Sequence, residues 1–274
     1  MNLVVGATGQ LGGVVVEKLL ARGLPVRAFV RRSSDYVHLD GAGVELAFGD
    51  LRDRASVDAA CLDVSAVIAT ANAAVPREPG DSFKSVDDQG NANLIAAAKH
   101  ADVSQFIFMS VVSHPDYNRM PLPSTKRVTE QRLRDCGIVY TIFQADAFMD
   151  VIFPLMGSDI PLRGTQSATV TRPFWFSQRF FASVKDQIAT SGRVNVVGDG
   201  TQRRTYICID DAAEFLVAAI GHSRARNATF EIGGPEALSQ NELLALWERV
   251  LGKPLHAKRG PATVFKIAHR EARR

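Results

Sequence analysis

The chain reads as an α/β protein: a doubly wound parallel sheet (Rossmann type) with a smaller C-terminal α/β lobe interleaved with it. Three observations predict this. The apolar run Leu3-Val4-Val5 feeds directly into a glycine turn and an amphipathic segment. Strand-like and helix-like runs then alternate over about 145 residues, the pattern of repeated βαβ units. Lastly, Phe106-Ile107-Phe108-Met109 is apolar at successive positions, as a central parallel strand covered on both faces must be.

The elements follow in order. After the first strand, Val15, Val16, Leu19 and Leu20 recur at helical spacing, and Gly23 is placed to end that helix in the left-handed conformation. Further strands are predicted over residues 25–30, 44–48, 65–71, 105–110 and 138–143. Helices are predicted over 54–61, with Asp53 as N-cap, and over 83–101 and 124–136. Past Ala145 the pattern loosens: Pro154, Pro161 and Pro173 interrupt the chain and Gly198-Asp199-Gly200 marks a turn. Two β–α passages are predicted there, at 194–197 and at 206–209 leading into 210–221. A strand over 229–232 then leads to a helix whose start is an S-x-x-E capping box, Ser239 and Glu242, and whose stop is Gly252. Residues 1–150 are accordingly assigned to the main domain and 151–274 to the lobe.

Composition narrows the function classes. Hydrophobic residues make up 46% and charged residues 22%, ordinary for a globular enzyme. A net charge of +3 does not suggest a nucleic-acid partner, and the basic excess at 256–259 and 269–274 reads as a solvated helix end. Cys61, Cys136 and Cys208 show no metal spacing, so no metal is expected and the thiols fit a reducing, cytoplasmic compartment. A core strand beginning almost at residue 1 predicts no signal or transit peptide. No apolar run is long enough to span a bilayer, so no membrane partner is expected.

Gly6, Gly9 and Gly12 stand at G-x-x-G-x-x-G spacing, with Thr8, Gln10 and Leu11 between and beside them. The glycines suit a tight turn, close approach of backbone to a pyrophosphate, and close helix–strand packing. The helix from Gln10 would aim its N–H groups at that pyrophosphate. A dinucleotide is the ligand this predicts. At the end of the second strand, where an NAD site places a carboxylate for the ribose 2′-OH, the chain has Arg31 and Arg32 followed by Ser33 and Ser34. Two cations there suit a 2′-phosphate and predict NADP(H). Asp50, after the third strand, is expected to accept from the adenine amino group while Leu51 packs on the ring. Thr70-Ala71-Asn72 closes the fourth strand at the carboxyl edge, where open α/β sheets bind ligands.

Taken together, Gly6-Ala7-Thr8-Gly9-Gln10-Leu11-Gly12, Val30-Arg31-Arg32, Gly49-Asp50-Leu51, residues 106–110, Lys126 and Tyr140-Thr141-Ile142-Phe143 resemble the NmrA-like family of the atypical short-chain dehydrogenase/reductase superfamily. Gly198-Asp199-Gly200, residues 206–213 and Phe230-Glu231-Ile232-Gly233-Gly234 look like the extended members of that superfamily. The resemblance implies reductive machinery of a Tyr-x-x-x-Lys pair and a serine on the preceding strand. Ser110 and Lys126 match the serine and the lysine, but Leu122, between Pro121 and Pro123, occupies the tyrosine position. Lys126 would then hold the ribose or relay a proton and Ser110 would orient a carbonyl. His114 and Tyr117 are substitute acids on the loop between them. Gln144 stands where relatives place an arginine, Phe148 is placed to pack on the nicotinamide, and the 172–176 cluster with Arg203 and Arg204 would line the lobe.

The expectation is an NADP(H)-dependent oxidoreductase transferring hydride to a small apolar or aromatic carbonyl, enone or quinone-type substrate. A noncatalytic NADP(H)-binding redox regulator or assembly factor with a protein partner is the alternative. A sugar-nucleotide epimerase or dehydratase ranks third. The sequence leaves the oligomeric state open.

Overall fold

A computed structural model describes residues 1–74, 76–113, 120–150 and 192–260. His114, Tyr117, the prolines at 154, 161 and 173, the 172–176 cluster and the basic end at 269–274 lie outside the described residues. The chain divides into two compact units: residues 1–145 with 209–232, and residues 146–208 with 233–274.

In the first unit, β1 (Asn2–Val5), β2 (Val26–Val30), β3 (Glu45–Phe48), β4 (Ala66–Ala69), β5 (Gln105–Val111), β6 (Tyr140–Ala145) and β10 (Ala228–Ile232) form one sheet in the order β10-β6-β5-β4-β1-β2-β3. Every neighbouring pair in it is parallel. Chain order reverses between β1 and β4, which puts the ends of those two strands at the topological switch point. The predicted doubly wound sheet is therefore present, and β10, arriving from beyond residue 150, supplies the interleaving.

Strand parity explains the two helical layers. Leu3, Val5, Val67, Phe106, Phe108 and Ile142 share one buried cluster with Val57, Leu94 and Leu133. These last three belong to α2 (Arg54–Cys61), α3 (Asn91–His100) and α4 (Pro121–Cys136). Phe143, on the opposite face, meets Phe215 of α5 (Ile209–Ala218) at 6.1 Å and stacks on Phe230 of β10 at 5.5 Å. There α5 packs on α1 (Gln10–Ala21), with Lys18 bound to Asp210.

Local signals account for the helix ends. Asp53 caps α2 by accepting from the Ala55 N–H, and Gly23 takes φ 65° just past α1. Three expected boundaries move. The helix expected over 83–101 begins as a π-helix, Phe83–Gly90, capped by reciprocal Ser82 and Ser85 bonds, and continues as α3. Helix α4 starts at Pro121, three residues early, because proline is well suited to the first helical position, where no N–H is needed. Strand β6 runs on to Ala145, taking Gln144 into the sheet.

The second unit has β7 (Ala147–Phe148), β8 (Arg193–Val197), β9 (Arg203–Ile207), β11 (Ala237–Ser239), α6 (Gln240–Leu251) and β12 (His256–Gly260). Its described strands form a three-stranded sheet, β11-β9-β7, and a parallel pair, β12-β8. Residues 194–197 thus form no β–α passage: β8 leads through the Gly198–Gly200 turn into β9. A single boundary at residue 150 also fails to describe the division, because residues 209–232 return to the first unit.

Candidate functional site

The glycine turn is built as its spacing requires. Gly6 leaves β1 at φ +92°, and its carbonyl accepts from the Gly9 N–H at 2.9 Å. A Cβ on Gly6 would lie 2.8 Å from both the Ala71 nitrogen and the Thr70 hydroxyl oxygen; one on Gly12 would lie 2.1 Å from the Gly6 carbonyl oxygen. Thr70 is locked to β1 by its hydroxyl, which donates to the Val5 carbonyl, and Asn72 turns the chain by accepting from the Ala74 N–H. Helix α1 starts at Gln10 with Gly9 as N-cap and no side-chain cap bond. Its first N–H groups and dipole are left for an anion. Gly6, Thr8, Gly9, Gln10, Leu11, Gly12, Thr70, Ala71 and Asn72 therefore converge where β1 and β4 end.

A second group gathers at the ends of β2 and β3. Arg31, Arg32, Ser33, Phe48, Asp50 and Glu78 line an open cleft of 450 Å³. Sequence reasoning found Arg31, Arg32 and Asp50 but missed the acids beyond them. The Arg31 guanidinium lies 3.0 Å from Asp81, 3.3 Å from Glu78 and 3.9 Å from Asp50. Asp50 is held chiefly by Arg52, at 2.7 Å. Partial burial disfavours the Asp50 charge, but the Arg52 hydrogen bonds outweigh it and hold the carboxyl below its usual range. Leu51 is buried in the core, and its backbone carbonyl accepts from the Asn93 side-chain amide.

The reductive residues separate into two arrangements. Ser110 shares the face of Phe106 and Phe108, toward α4, and is 2% exposed. Its hydroxyl donates to Glu130, a buried carboxylate that also takes bonds from Gln144 at 3.0 Å, Arg127 at 2.8 Å and Arg134 at 3.2 Å. Ser110 and Gln144 thus join a closed polar network between β5, β6 and α4, with the Ser110 hydroxyl engaged by Glu130. Glu130 was missed because nothing in its helical spacing marks it as buried.

Lys126, 4% exposed, carries its ammonium 3.7 Å from Asp87 of the π-helix and 4.6 Å above the Phe108 ring. Burial pushes the lysine down and the aspartate up, while each charge resists the other's loss. Asp87 also accepts from the Ala73 N–H at 2.8 Å, which ties the pair to the loop after β4. An ammonium has three donors, so one carboxylate at this range leaves Lys126 able to bind further acceptors.

In the second unit, Phe148 lies on β7 and Arg204 pairs with Asp146 at 2.8 Å, while Arg203 pairs with Glu242 at 2.7 Å. Among the described residues no cluster of His, Cys, Asp and Glu is arranged to hold a metal, and no helix is long and apolar enough to cross a membrane.

A parallel sheet with a glycine turn and an uncapped helix start at its switch point defines a dinucleotide-fold protein. The sequence profile of the NmrA-like family matches residues 2–271, and the chain belongs to that family. A photosystem II assembly factor of Cyanophora paradoxa is 27% identical over 97% of this chain and 73% of its own. The (4-alkanoyl-5-oxo-2,5-dihydrofuran-3-yl)methyl phosphate reductase of Streptomyces griseus is 31% identical over 93% of this chain and 75% of its own. Among solved structures, the NADPH complex of an NADPH-dependent quinone oxidoreductase from Escherichia coli is similar in fold, with TM-score 0.68, 23% identity and coverage of 94% of this chain and 78% of that one. The NADP(H) complex of Citrobacter sp. triphenylmethane reductase gives TM-score 0.71 at 21% identity, covering 95% and 79%.

Proposed function

We propose that the protein binds NADP(H) and transfers hydride between it and a small apolar or aromatic carbonyl, enone or quinone-type substrate. The observation that carries this reading is the pairing of two sites in one unit: the glycine turn with no room for a side chain at Gly12, and the cleft lined by Arg31 and Arg32. The fit is chemical as well as steric. The α1 N-terminus offers N–H groups to a pyrophosphate, and Arg32 offers a guanidinium to a 2′-phosphate. Both named solved relatives carry NADPH or NADP(H), and one acts on a quinone.

The cofactor, when bound, supplies the hydride. Lys126 would hold ribose hydroxyls with its ammonium and supply the proton that a reduced carbonyl oxygen takes up, with Asp87 opposing the loss of charge that burial favours. Ser110, spent on Glu130, takes no part.

Calorimetric titration with NADP⁺, NADPH, NAD⁺ and NADH, on wild type and Arg32→Ala, tests the binding. The substitution is expected to cost NADP(H) about 1.5–3 kcal/mol, the value of a charged hydrogen bond, and to spare NAD(H). Equal losses for both pairs would remove Arg32 from the 2′-phosphate.

A second reading, a noncatalytic NADP(H)-binding assembly factor with a protein partner, is favoured by the closed Ser110–Glu130 network and by Leu122 at the tyrosine position. The assembly-factor relative supports it. Tight NADPH binding with no oxidation of NADPH by quinones, enones or cationic dyes, together with partner capture that depends on NADPH, selects it over hydride transfer.

A further inference from the structure

The two arginines of the cleft differ in what already holds them. Arg32 lies over the Phe48 ring, its guanidinium carbon 4.6 Å from the centroid, and no carboxylate among the described residues pairs with it. Arg31 is engaged from several sides, and the acids around it are not equivalent. Asp81 is a structural anchor. Its carboxylate is 3% exposed and accepts from the Arg77 and Glu78 N–H groups at 3.1 Å each, while its own N–H donates to the Glu78 carbonyl. This turn fixes the backbone of Glu78.

Glu78 instead turns its side chain to the cleft that Arg31, Arg32 and Ser33 line. One of its carboxylate oxygens accepts from the Ser33 hydroxyl; the other lies 3.3 Å from the Arg31 guanidinium and 3.2 Å from that of Arg52. A serine hydroxyl with two guanidinium groups is a donor set that suits a phosphate monoester. Here, among the described residues, Glu78 alone bridges all three donors, while Asp81 also binds Arg31 and Asp50 also binds Arg52.

We propose that Glu78 competes with the 2′-phosphate of the dinucleotide for Ser33 and Arg31, and so sets the preference between NADP(H) and NAD(H). The inference rests on the cleft being the NADP(H) site. A 2′-phosphate would add to the charge of three carboxylates already at these guanidinium groups. Asp81 and Asp50 are fixed by backbone N–H groups, so Glu78, bound through side chains, is the one to withdraw as the phosphate enters. A dinucleotide with a free 2′-hydroxyl asks for no such movement. The hydroxyl can donate to the Glu78 carboxylate, the role an acidic residue plays in NAD sites. Arg32, held by a ring face and by no carboxylate among the described residues, is then the cation available at first encounter; Arg31 keeps Asp81 and exchanges its Glu78 contact for the phosphate when Glu78 leaves.

The test is calorimetric titration of wild type, Glu78→Gln and Glu78→Ala with NADPH and NADH, each variant's folding checked by thermal unfolding. The fragments 2′,5′-ADP and 5′-AMP isolate the adenosine end. Both substitutions are expected to tighten NADPH and 2′,5′-ADP roughly tenfold, within the usual range of a coupling between two ligands of one site. NADH and 5′-AMP should stay unchanged or weaken. Unchanged or weaker NADPH binding in folded Glu78→Ala overturns the proposal. So does tightening in Glu78→Gln alone, which would show a new amide contact instead of a lost competitor. Wild type that binds neither dinucleotide overturns the cofactor reading itself, whereas wild type that binds NADPH while both variants match it overturns only the part played by Glu78.

Discussion

At position 12 a methyl group would sit 2.1 Å from one backbone oxygen and 2.6 Å from the carbon bearing it, with no rotamer to relieve the clash. Gly12→Ala is therefore expected to cost about 1–3 kcal/mol of stability, as overpacking does, and to abolish dinucleotide binding. Thermal unfolding and NADPH titration read the two effects separately, and full binding would show that α1 can slide away from the turn. This requirement was legible in the sequence because it involves only neighbouring backbone. The fate of Ser110 was not: its partner Glu130 comes from a helix, and Gln144, which donates to the same carboxylate, from another strand, and only packing brings them together. Asp87 was hidden for the same reason. Removing it leaves a buried cation unpaired, so Asp87→Asn should cost about 3–5 kcal/mol. It should also lower the Lys126 pKa further, since Asp87 is the strongest influence holding it up. The unfolded chain then keeps a proton that the fold releases, so the variant gains stability as pH rises toward 10.5, the ordinary lysine value. An NMR titration of the Lys126 side chain with unfolding curves across that range checks the sign; a raised Lys126 pKa would contradict it.

Among the elements, α6 shows how fully a short motif can specify an end. Ser239 accepts from the Glu242 N–H at 3.1 Å, Glu242 accepts from the Ser239 N–H at 2.7 Å, and Gly252 closes the helix at φ 65°. The Ser239 backbone N–H, with further help from the Ser239 hydroxyl and Arg203, brings the Glu242 carboxyl down from 4.5 to about 2. A depressed carboxyl contributes stability above its unfolded pKa and loses it as pH falls through the folded one. The helix signal is therefore expected to weaken between pH 4.5 and about 2, and Glu242→Gln should flatten that part of the profile. Circular dichroism across this window tests it, and an identical acid profile in the variant would refute it. The π-helix and the early start of α4 were less legible. Apolar spacing does not separate a wide turn from an α turn, and Pro121 reads equally as a breaker and as a first helical residue.

On the scale of the molecule, the alternation of strands and helices disclosed the doubly wound sheet, while the partners of the late strands stayed hidden because pairing is non-local. Strand β10 is the informative case. It lies along β6 from Ala228↔Thr141 to Ile232↔Ala145, covers Phe143 with Phe230, and arrives with α5, whose end accepts from the Gln105 amide through the Ala219 carbonyl. A fragment ending at residue 150 would lack these contacts. It should aggregate through the bare β6 edge, whereas the full chain should not; size-exclusion chromatography of both decides the point. The same crossover has a temporal meaning. A ribosome releases the chain from its N-terminus, so the first six strands emerge with their outermost edge unguarded, and the sheet cannot be completed until Ile232 has left the exit tunnel. Synthesis of residues 146–208, the first part of the second unit, is thus a waiting period built into the birth of the first, during which the nascent chain depends on something other than its own last strand to shield that edge.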